Sequence, residues 1–223
     1  MKSPFANHAD RIAAFESSFI YPVVSSEFCG GRKVTDVLCD LAENGAKVVQ
    51  LREKHQSDAN LFALACACRE ITARYGMLLF IDDRLDIALA CNADGVHLGQ
   101  DDMPVASARK IAPDMIIGAS THNAAEIVAA QKDGCSYLNI GPIYPTQTKS
   151  VACGALGVDF FNELKKLVTV PFSVMGGIKE RHIADLAALG ARHIAMVTEV
   201  IAKPQLCRLQ HINGKTVING NKR

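Results

Sequence analysis

The chain has 223 residues, of which 49% are hydrophobic and 21% are charged, as expected for a globular protein. Its 24 Lys and Arg residues nearly balance its 23 Asp and Glu residues, which argues against a nucleic-acid or membrane-surface protein. No apolar run approaches the roughly 20 residues of a membrane span, and residues 1–18 lack the apolar core of a signal peptide. The eight cysteines show neither a paired framework nor metal-ligand spacing. We therefore expect a cytoplasmic protein with free thiols.

From residue 19 onward, strand and helix signals alternate along the chain. Eight short segments are mostly continuous apolar runs, which is typical of parallel strands buried on both faces. These segments are Phe19–Val24, Lys47–Leu51, Met77–Ile81, Gly95–Leu98, Met115–Gly118, Tyr137–Ile140, Pro171–Met175 and His193–Val197. The repeat predicts an α/β protein with a (β/α)8 TIM barrel. A doubly wound open sheet is the alternative.

Helical patterns fill the intervals between these strands. The clearest is Ser57–Tyr75, where apolar residues recur at i, i+3, i+4 and i+7. Other helices are expected to begin near Arg32, Leu85, Pro104, Asn123, Asp159 and Lys179. Glycine stands at several predicted helix ends, a residue typical of C-caps: Gly45, Gly76, Gly134 and Gly190.

Two segments lie outside the predicted barrel domain of residues 19–203. Residues 1–18 are expected to form a short amphipathic helix that covers one end of the domain. Residues 204–223 are expected to be an irregular or disordered tail, because Asn213-Gly214 and Asn219-Gly220 favour turns. No sustained helical stripe follows Pro204, so we expect the eighth helix to be short, displaced or absent.

Polar residues and glycines follow the predicted strands, at the positions where TIM barrels build their active sites. In chain order they are Gln50, Arg52 and Lys54, then Asp82, Asp83 and Arg84, then His97, Gln100, Asp101 and Asp102, then Ser120, Thr121 and His122, then Thr146, Thr148 and Lys149, then Gly176 and Gly177, and finally Thr198. Because the carboxyl ends of barrel strands share one face, these residues are predicted to form one site.

Two sets of phosphate-binding groups occur within this pattern. Thr146, Thr148 and Lys149 supply two hydroxyls and an ammonium group, and the bare backbone of Gly177 lets N–H groups approach an anion. The second set combines the cations Arg52, Lys54 and Lys149 with carboxylates on two neighbouring loops, Asp83 and Asp102. Cations beside two carboxylates predict a diphosphate bound together with Mg²⁺. The sequence thus favours a transfer reaction in which diphosphate departs.

Each feature also has a structural interpretation. The Thr146–Lys149 stretch can be a solvated loop, Arg52 and Asp83 can form an ordinary ion pair, and Asp101 or Asp102 can cap the helix after Pro104. His97 and His122 are interpreted as supporting or packing residues rather than acid–base groups. We prefer a functional site because the pattern recurs at successive strand ends.

Six segments carry a resemblance to a known family: Gln50-Leu51-Arg52-Glu53-Lys54, Asp82-Asp83-Arg84, Asp94-Gly95-Val96-His97-Leu98-Gly99-Gln100-Asp101-Asp102, Gly118-Ala119-Ser120-Thr121-His122, Gly141-Pro142-Ile143-Tyr144-Pro145-Thr146-Gln147-Thr148-Lys149 and Gly176-Gly177-Ile178. With these segments, residues 19–203 resemble thiamine-phosphate synthase, also called thiamine-phosphate pyrophosphorylase. The Pro-Thr-x-Thr-Lys loop and the Gly-Gln-x-Asp block are its most specific motifs.

The resemblance implies a reaction between two small-molecule substrates. A pyrimidine diphosphate, 4-amino-2-methyl-5-(diphosphooxymethyl)pyrimidine, loses diphosphate. The nitrogen of a thiazole phosphate, 4-methyl-5-(2-phosphoethyl)thiazole or its carboxylated form, takes its place and gives thiamine phosphate. The resemblance also implies a Mg²⁺-dependent, dissociative displacement and no nucleic-acid or membrane partner. The sequence is compatible with a homodimer.

The resemblance implies roles for individual residues. Those that line the pyrimidine diphosphate are Gln50, Leu51, Arg52, Glu53, Lys54 and Asp82. Asp83 and Asp102 bind Mg²⁺, and Ser120 and Lys149 contact the diphosphate; Arg52, Lys54, Ser120 and Lys149 are the expected catalytic residues. Those that hold the thiazole phosphate are Thr146, Gln147, Thr148, Gly177, Val197 and Thr198.

Two positions depart from the family pattern. Asp82 stands where the family usually has Asn, and Thr198 replaces the usual Ser. A carboxylate about 4 Å from the diphosphate would repel it by roughly 1 to 4 kcal/mol. Asp82 could instead bind metal or pair with Arg84; we expect it to raise the Mg²⁺ requirement.

Two other functions compete with this interpretation. A related thiazole tautomerase would need an acid–base His and no metal, which the Thr-x-Thr-Lys loop and the Asp83/Asp102 pair oppose. A non-catalytic phosphate sensor is supported by Asp82 and by the unusual tail, and is opposed by the retained metal carboxylates.

Overall fold

The computed structural model describes residues 2–146, 154–212 and 215–218. Eight parallel strands close into a barrel in which each strand pairs with its neighbours in sequence and the last pairs with the first. The strands are β1 (Ile20–Val24), β2 (Val48–Leu51), β3 (Leu78–Asp82), β4 (Gly95–Leu98), β5 (Ile116–Thr121), β6 (Tyr137–Ile140), β7 (Phe172–Val174) and β8 (His193–Met196). The predicted TIM barrel is confirmed, and the open sheet is excluded.

One helix precedes β1, and the other helices follow the strands and cover the outside of the barrel. They are α1 (His8–Glu16), α2 (Val34–Glu43), α3 (Asp58–Tyr75), α4 (Leu85–Ala90), α5 (Val105–Ile111), α6 (Ala124–Lys132), α7 (Val158–Leu164), α8 (Ile183–Ala188) and α9 (Thr198–Ala202). Ser57 and Asn123 cap α3 and α6 with their side chains. The eighth barrel helix, α9, has five residues, as the weak pattern after β8 predicted.

The chain after Lys203 differs from the irregular tail that the sequence predicted. A 3₁₀ turn spans Pro204–Arg208, and β9 (Leu209–Ile212) pairs antiparallel with β10 (Lys215–Ile218). The reason is visible in the sequence: Asn-Gly, which separates these strands at 213–214, is the dipeptide most typical of two-residue hairpin connections. The predicted domain limits at residues 18 and 203 stay predictions.

Aromatic rings fill the inside of the barrel, and α1 closes its lower end. Phe15 of α1 is fully buried, and its ring centroid lies 4.6 Å from that of Tyr137 and 4.4 Å from that of His193. Phe80 packs against both Phe15 and Tyr137 at 5.8 Å. This plug leaves the opposite end, where the strands finish, as the open end of the barrel.

A buried ion pair supports the lower end. Asp94, which is 0% exposed, accepts hydrogen bonds from Arg69 Nη1 at 2.6 Å and from the Leu79 backbone N–H at 2.9 Å. Ser3 also donates to Asp94, and Arg11 lies 3.5 Å away. Asp94 thus joins the N-terminal segment, α3 and β3.

Across residues 2–146, 154–212 and 215–218, no helix combines the length and apolarity that a bilayer crossing requires.

Replacing Asp94 with Asn should lower the free energy of unfolding by about 3 to 5 kcal/mol, because the buried Arg69 guanidinium would lose its counter-charge. Urea denaturation measures this change, with Asp114→Asn on the exposed surface as the control. A loss no larger than that of the control would contradict the structural role of Asp94.

His193 should make stability depend on pH. Burial lowers the pKa of His193 to about 4, although its Nδ1 contacts the Ser18 carbonyl at 2.6 Å. Below about pH 6.5 the unfolded chain binds a proton that folded His193 does not accept until about pH 4. The free energy of unfolding should therefore fall by up to about 3 kcal/mol between these pH values.

Urea denaturation from pH 7 to pH 4 would measure this contribution as the difference between the wild-type protein and His193→Gln. The exposed His55→Gln is the control. Equal pH slopes for the wild-type protein and His193→Gln would contradict the assignment.

Candidate active site

A cavity of about 490 Å³ opens at the carboxyl ends of the strands, opposite the Phe15 plug. Its walls come from both predicted phosphate-binding sets and from residues between them. Predicted site residues that line it are Arg52, Ser120, Thr146, Gly177, Val197 and Thr198. One cavity therefore brings together side chains that are far apart in the sequence.

Asp82 is the centre of a charged cluster beside this cavity. Its Oδ1 accepts a hydrogen bond from Gln50 Nε2 at 2.7 Å. Its Oδ2 lies 2.8 Å from Lys54 Nζ and 3.5 Å from Arg52 Nε. The alternative that Asp82 pairs with the Arg84 side chain is wrong, because Arg84 turns outward to Asp58 at 2.5 Å and Asp86 at 2.6 Å. Asp82 thus fixes the direction of two cations at the edge of the cavity.

The charges in this cluster perturb one another. Burial, and then the neighbouring Asp83 carboxylate, raise the pKa of Asp82 to about 6, while Lys54 and Arg52 oppose that shift. Burial lowers the pKa of Lys54, but the combined attraction of Asp82 and Asp83 exceeds this effect and raises it. Lys54 is therefore a firmly charged ammonium group that lies between two carboxylates.

Asp83 and Asp102 come from neighbouring strand ends and approach each other closely. Burial, and then a hydrogen-bond contact with Asp83, raise the pKa of Asp102. Asp83 has a left-handed backbone with φ 63°, and its N–H donates to the His97 carbonyl at 2.8 Å. Asp102 Oδ2 accepts from the Gly99 N–H at 2.6 Å. Two carboxylates held this close would be stabilised by a cation, and the Mg²⁺ expected from the sequence stays a prediction.

Glycines form the opposite wall of the cavity. Gly176 and Gly177 have φ values of 101° and 62°, which favour glycine. A Cβ atom on Gly176 would overlap Pro142, and one on Gly177 would overlap the Pro145 carbonyl. The loops after β6 and β7 therefore meet backbone to backbone, next to Thr146.

Several predicted site residues lie elsewhere. Leu51 packs its side chain in the core between barrel and helices, and Glu53 accepts hydrogen bonds from the Ser26 N–H at 2.6 Å and from Ser26 Oγ at 2.7 Å. Their contacts with substrate stay predictions. Gln147, Thr148 and Lys149 lie outside the described residues. Capping of α5 by Asp101 or Asp102 is wrong, because the N-cap is Pro104, with no side-chain cap.

The two predicted supporting histidines are both held by neighbours. His122 Nδ1 lies 2.8 Å from Glu126 Oε2, and His97 Nε2 lies 2.9 Å from Ser120 Oγ. These contacts are compatible with the supporting roles expected from the sequence.

Sequence reasoning missed some residues that line the cavity. Asn139 lies on β6 two residues after Tyr137 and therefore shares its inward face; its Oδ1 accepts from Ser173 Oγ at 3.0 Å. A lone Asn in an apolar strand was a signal for this position. Lys179 also lines the cavity and pairs with Glu199 at 3.2 Å. Its place directly after Gly176-Gly177-Ile178 could have indicated it.

Comparison with known proteins identifies the family of this chain. The family model for thiamine monophosphate synthase matches residues 20–200. The thiamine-phosphate synthase of Pelotomaculum thermopropionicum is 40% identical over 183 residues, which cover 82% of this chain and 84% of that protein. That of Chloroflexus aurantiacus is 41% identical over 183 residues, with coverage of 82% and 85%.

The chain belongs to the thiamine-phosphate synthase family. A solved structure, thiamine phosphate pyrophosphorylase from Pyrococcus furiosus, aligns with a TM-score of 0.78 at 28% identity and covers 87% of this chain and 96% of that one. An aldolase from Zymomonas mobilis aligns with a TM-score of 0.63 at 13% identity, which reflects the shared barrel fold alone. Members of the thiamine-phosphate synthase family are transferases, and this chain is one of them.

Replacing Gly177 with Ala should destabilise the protein more than replacing Gly30 with Ala. Both glycines have φ near 60°, but a Cβ on Gly30 meets nothing within 4 Å. The extra loss for Gly177→Ala over Gly30→Ala measures the cost of the overlap between the new Cβ and the Pro145 carbonyl. We expect this extra loss to be about 1 to 3 kcal/mol in the free energy of unfolding. Urea denaturation of both variants measures it, and equal losses would contradict the close approach of the two loops.

Proposed function

We propose that this protein joins a pyrimidine diphosphate to a thiazole phosphate and releases diphosphate and thiamine phosphate. One observation carries the proposal: a cation–carboxylate cluster and a glycine-lined wall lie at the same barrel mouth. The first suits a diphosphate with a divalent cation, and the second suits a phosphate monoester. Membership of the thiamine-phosphate synthase family supports the identity of both substrates.

On the diphosphate side, the cations Arg52 and Lys54 stabilise the negative charge of the leaving group. Arg52 and Lys54 are oriented by Asp82, so they need little reorganisation when charge builds up on the departing diphosphate. Ser120 lies on the cavity wall and supplies a hydroxyl to the same group, and Lys149 is assigned there by its place in the family loop.

Asp83 and Asp102 would hold Mg²⁺. Among the described residues, no three His, Cys, Asp or Glu side chains form a metal-binding group, so a pair of carboxylates needs further ligands. Mg²⁺ commonly binds one or two carboxylates together with substrate phosphate oxygens, which fits this donor set. When bound, Mg²⁺ neutralises the negative charge of the diphosphate.

On the thiazole side, the site mainly orients its substrate. Thr146, Gly177, Val197 and Thr198 line one cavity and would hold the phosphate, with Gln147 and Thr148 assigned by the family loop. A fixed phosphate aims the ring nitrogen at the methylene carbon of the pyrimidine.

The displacement needs no strong base. The C–O bond breaks with its electron pair going to the diphosphate, and the aminopyrimidine ring stabilises the positive charge at the methylene. The thiazole nitrogen then forms the C–N bond with its lone pair and carries the positive charge in the product. No proton leaves the reacting atoms, which is consistent with supporting roles for His97 and His122.

The direct test mixes the protein, both substrates and Mg²⁺ and measures thiamine phosphate and diphosphate. We expect product that disappears with a chelator and a decrease in kcat/KM of at least about 100-fold for Asp83→Asn, as for loss of a key electrostatic group. Asp114→Asn, on the exposed surface away from the cavity, is the control and should stay near the wild-type rate. No product from the wild-type protein, with both substrates still binding, would support the sensor alternative.

Asp82 should raise the Mg²⁺ concentration that the reaction requires, because its carboxylate adds negative charge beside the diphosphate and engages Lys54. Replacing Asp82 with Asn should lower the half-saturating Mg²⁺ concentration about fivefold, roughly 1 kcal/mol. A magnesium titration of initial rates measures this, and an unchanged midpoint would contradict it.

A further inference from the structure

A line of buried hydroxyl and imidazole groups runs beneath the cavity, across the inside of the barrel. Tyr21 Oη lies 2.8 Å from Tyr137 Oη, Tyr137 Oη lies 2.8 Å from His97 Nδ1, and His97 Nε2 lies 2.9 Å from Ser120 Oγ. We call these four residues the interior chain. Its last member, Ser120, lines the cavity, so the interior chain connects the closed core of the barrel to the active site.

The interior chain is held rigidly by packing. The Tyr137 ring lies between Phe15 and Phe80, with centroids at 4.6 Å and 5.8 Å. Gly118, on the adjacent strand, leaves room for this ring, because a Cβ atom there would overlap it. Gln100 Nε2 donates to the Ser120 carbonyl at 2.6 Å and fixes the backbone at the other end. The hydroxyl and imidazole groups therefore have defined positions.

The distances indicate which way the protons point. Burial raises the pKa of Tyr137 and of Tyr21, so each hydroxyl keeps its one proton. Gln50 donates its Nε2 to Asp82, which leaves its Oε1 facing Tyr21 at 3.4 Å, a long distance for a hydroxyl donor. Tyr21 is better placed to donate to Tyr137 at 2.8 Å. Tyr137 has one hydroxyl proton of its own, and His97 Nδ1, at 2.8 Å, is the acceptor in position to receive it.

From this geometry we propose that Tyr137 is a positioning residue that holds neutral His97 with its proton on Nε2. His97 Nε2–H then donates to Ser120 Oγ, so the Ser120 hydroxyl hydrogen points away from His97 toward the cavity. Ser120 becomes a hydrogen-bond donor for an anionic oxygen. With the opposite tautomer, Ser120 would donate to His97 and present lone pairs to the anion. That the anionic oxygen belongs to the leaving diphosphate rests on the proposed function.

Nitrogen NMR of ¹⁵N-histidine-labelled protein at neutral pH tests the tautomer, with His97→Gln used to assign the signals. We expect protonated Nε2 and unprotonated Nδ1 for His97 in the wild-type protein. Tyr137→Phe, which keeps the ring, should shift His97 toward the Nδ1–H form. Tyr21→Phe should leave the tautomer unchanged, because the Tyr137 proton still points to His97. A wild-type His97 that is protonated on Nδ1, or on both nitrogens, would overturn the proposal.

Steady-state kinetics provide the second readout. Tyr137→Phe should lower kcat about tenfold with KM for the pyrimidine diphosphate nearly unchanged, as expected for loss of one oriented hydrogen bond. The same change in a Ser120→Ala background should have no further effect, because Tyr137 acts through Ser120. Tyr75→Phe on the exposed surface is the matched control.

Two kinetic results would overturn the proposal: equal effects of Tyr137→Phe with and without Ser120, or a lower kcat without a change of tautomer. An inactive wild-type protein would contradict the proposed function. The NMR experiment does not depend on turnover, so it would still test the His97 tautomer in that protein.

Discussion

The active site depends on how charge is balanced around Asp82. Among the described residues, three carboxylates at the barrel mouth, Asp82, Asp83 and Asp102, face two cations, Arg52 and Lys54. Gln50, Arg52 and Lys54 all contact Asp82, although burial and the Asp83 carboxylate still raise its pKa to about 6. Asp83 and Asp102 are left close together with an excess of negative charge, which a divalent cation would relieve. The cluster is thus suited to bind metal and diphosphate together rather than either one alone.

The rest of the barrel keeps that cluster in place. Asp94 and Arg69 fix the lower end, and Phe15 closes it. Above them, aromatic rings and the interior chain fill the space beneath the cavity. The polar side chains at the barrel mouth are therefore supported from below by closely packed residues. The loops after β6 and β7 are joined where Gly176 and Gly177 let their backbones touch. Rigid support of this kind keeps hydrogen-bond donors aligned before the reaction begins.

The sequence predicted the barrel well because each strand is a short apolar run with its own turn signals. All eight strands and the left-handed glycines at helix ends are confirmed. The prediction missed the hairpin after Lys203, since an Asn-Gly pair was interpreted as a sign of irregular chain rather than of paired strands. Its local signal was present, but each of the two strands has only four residues.

For the site, the positions of residues at the strand ends predicted which of them lie near one another. The hydrogen-bond and ion-pair partners of their side chains could be read only from the structure. Nothing in the local sequence says that Asp82 turns to Lys54 while Arg84 turns to Asp58 and Asp86. Likewise, Leu51 lies within one of the six family segments, yet its side chain packs between the barrel and the helices, because alternate strand residues face opposite sides. The interior chain joins residues more than 100 positions apart, and no periodicity reveals such a contact.

The central claim is that one barrel mouth holds two different anions, one of them with a metal. A crystal structure with Mg²⁺, diphosphate and thiamine phosphate tests it most directly. The account predicts diphosphate beside Arg52, Lys54 and Ser120, Mg²⁺ bound by Asp83 and Asp102, and the phosphate of thiamine phosphate against Gly177. Both anions bound at the glycine wall, or Mg²⁺ bound away from Asp83 and Asp102, would contradict it.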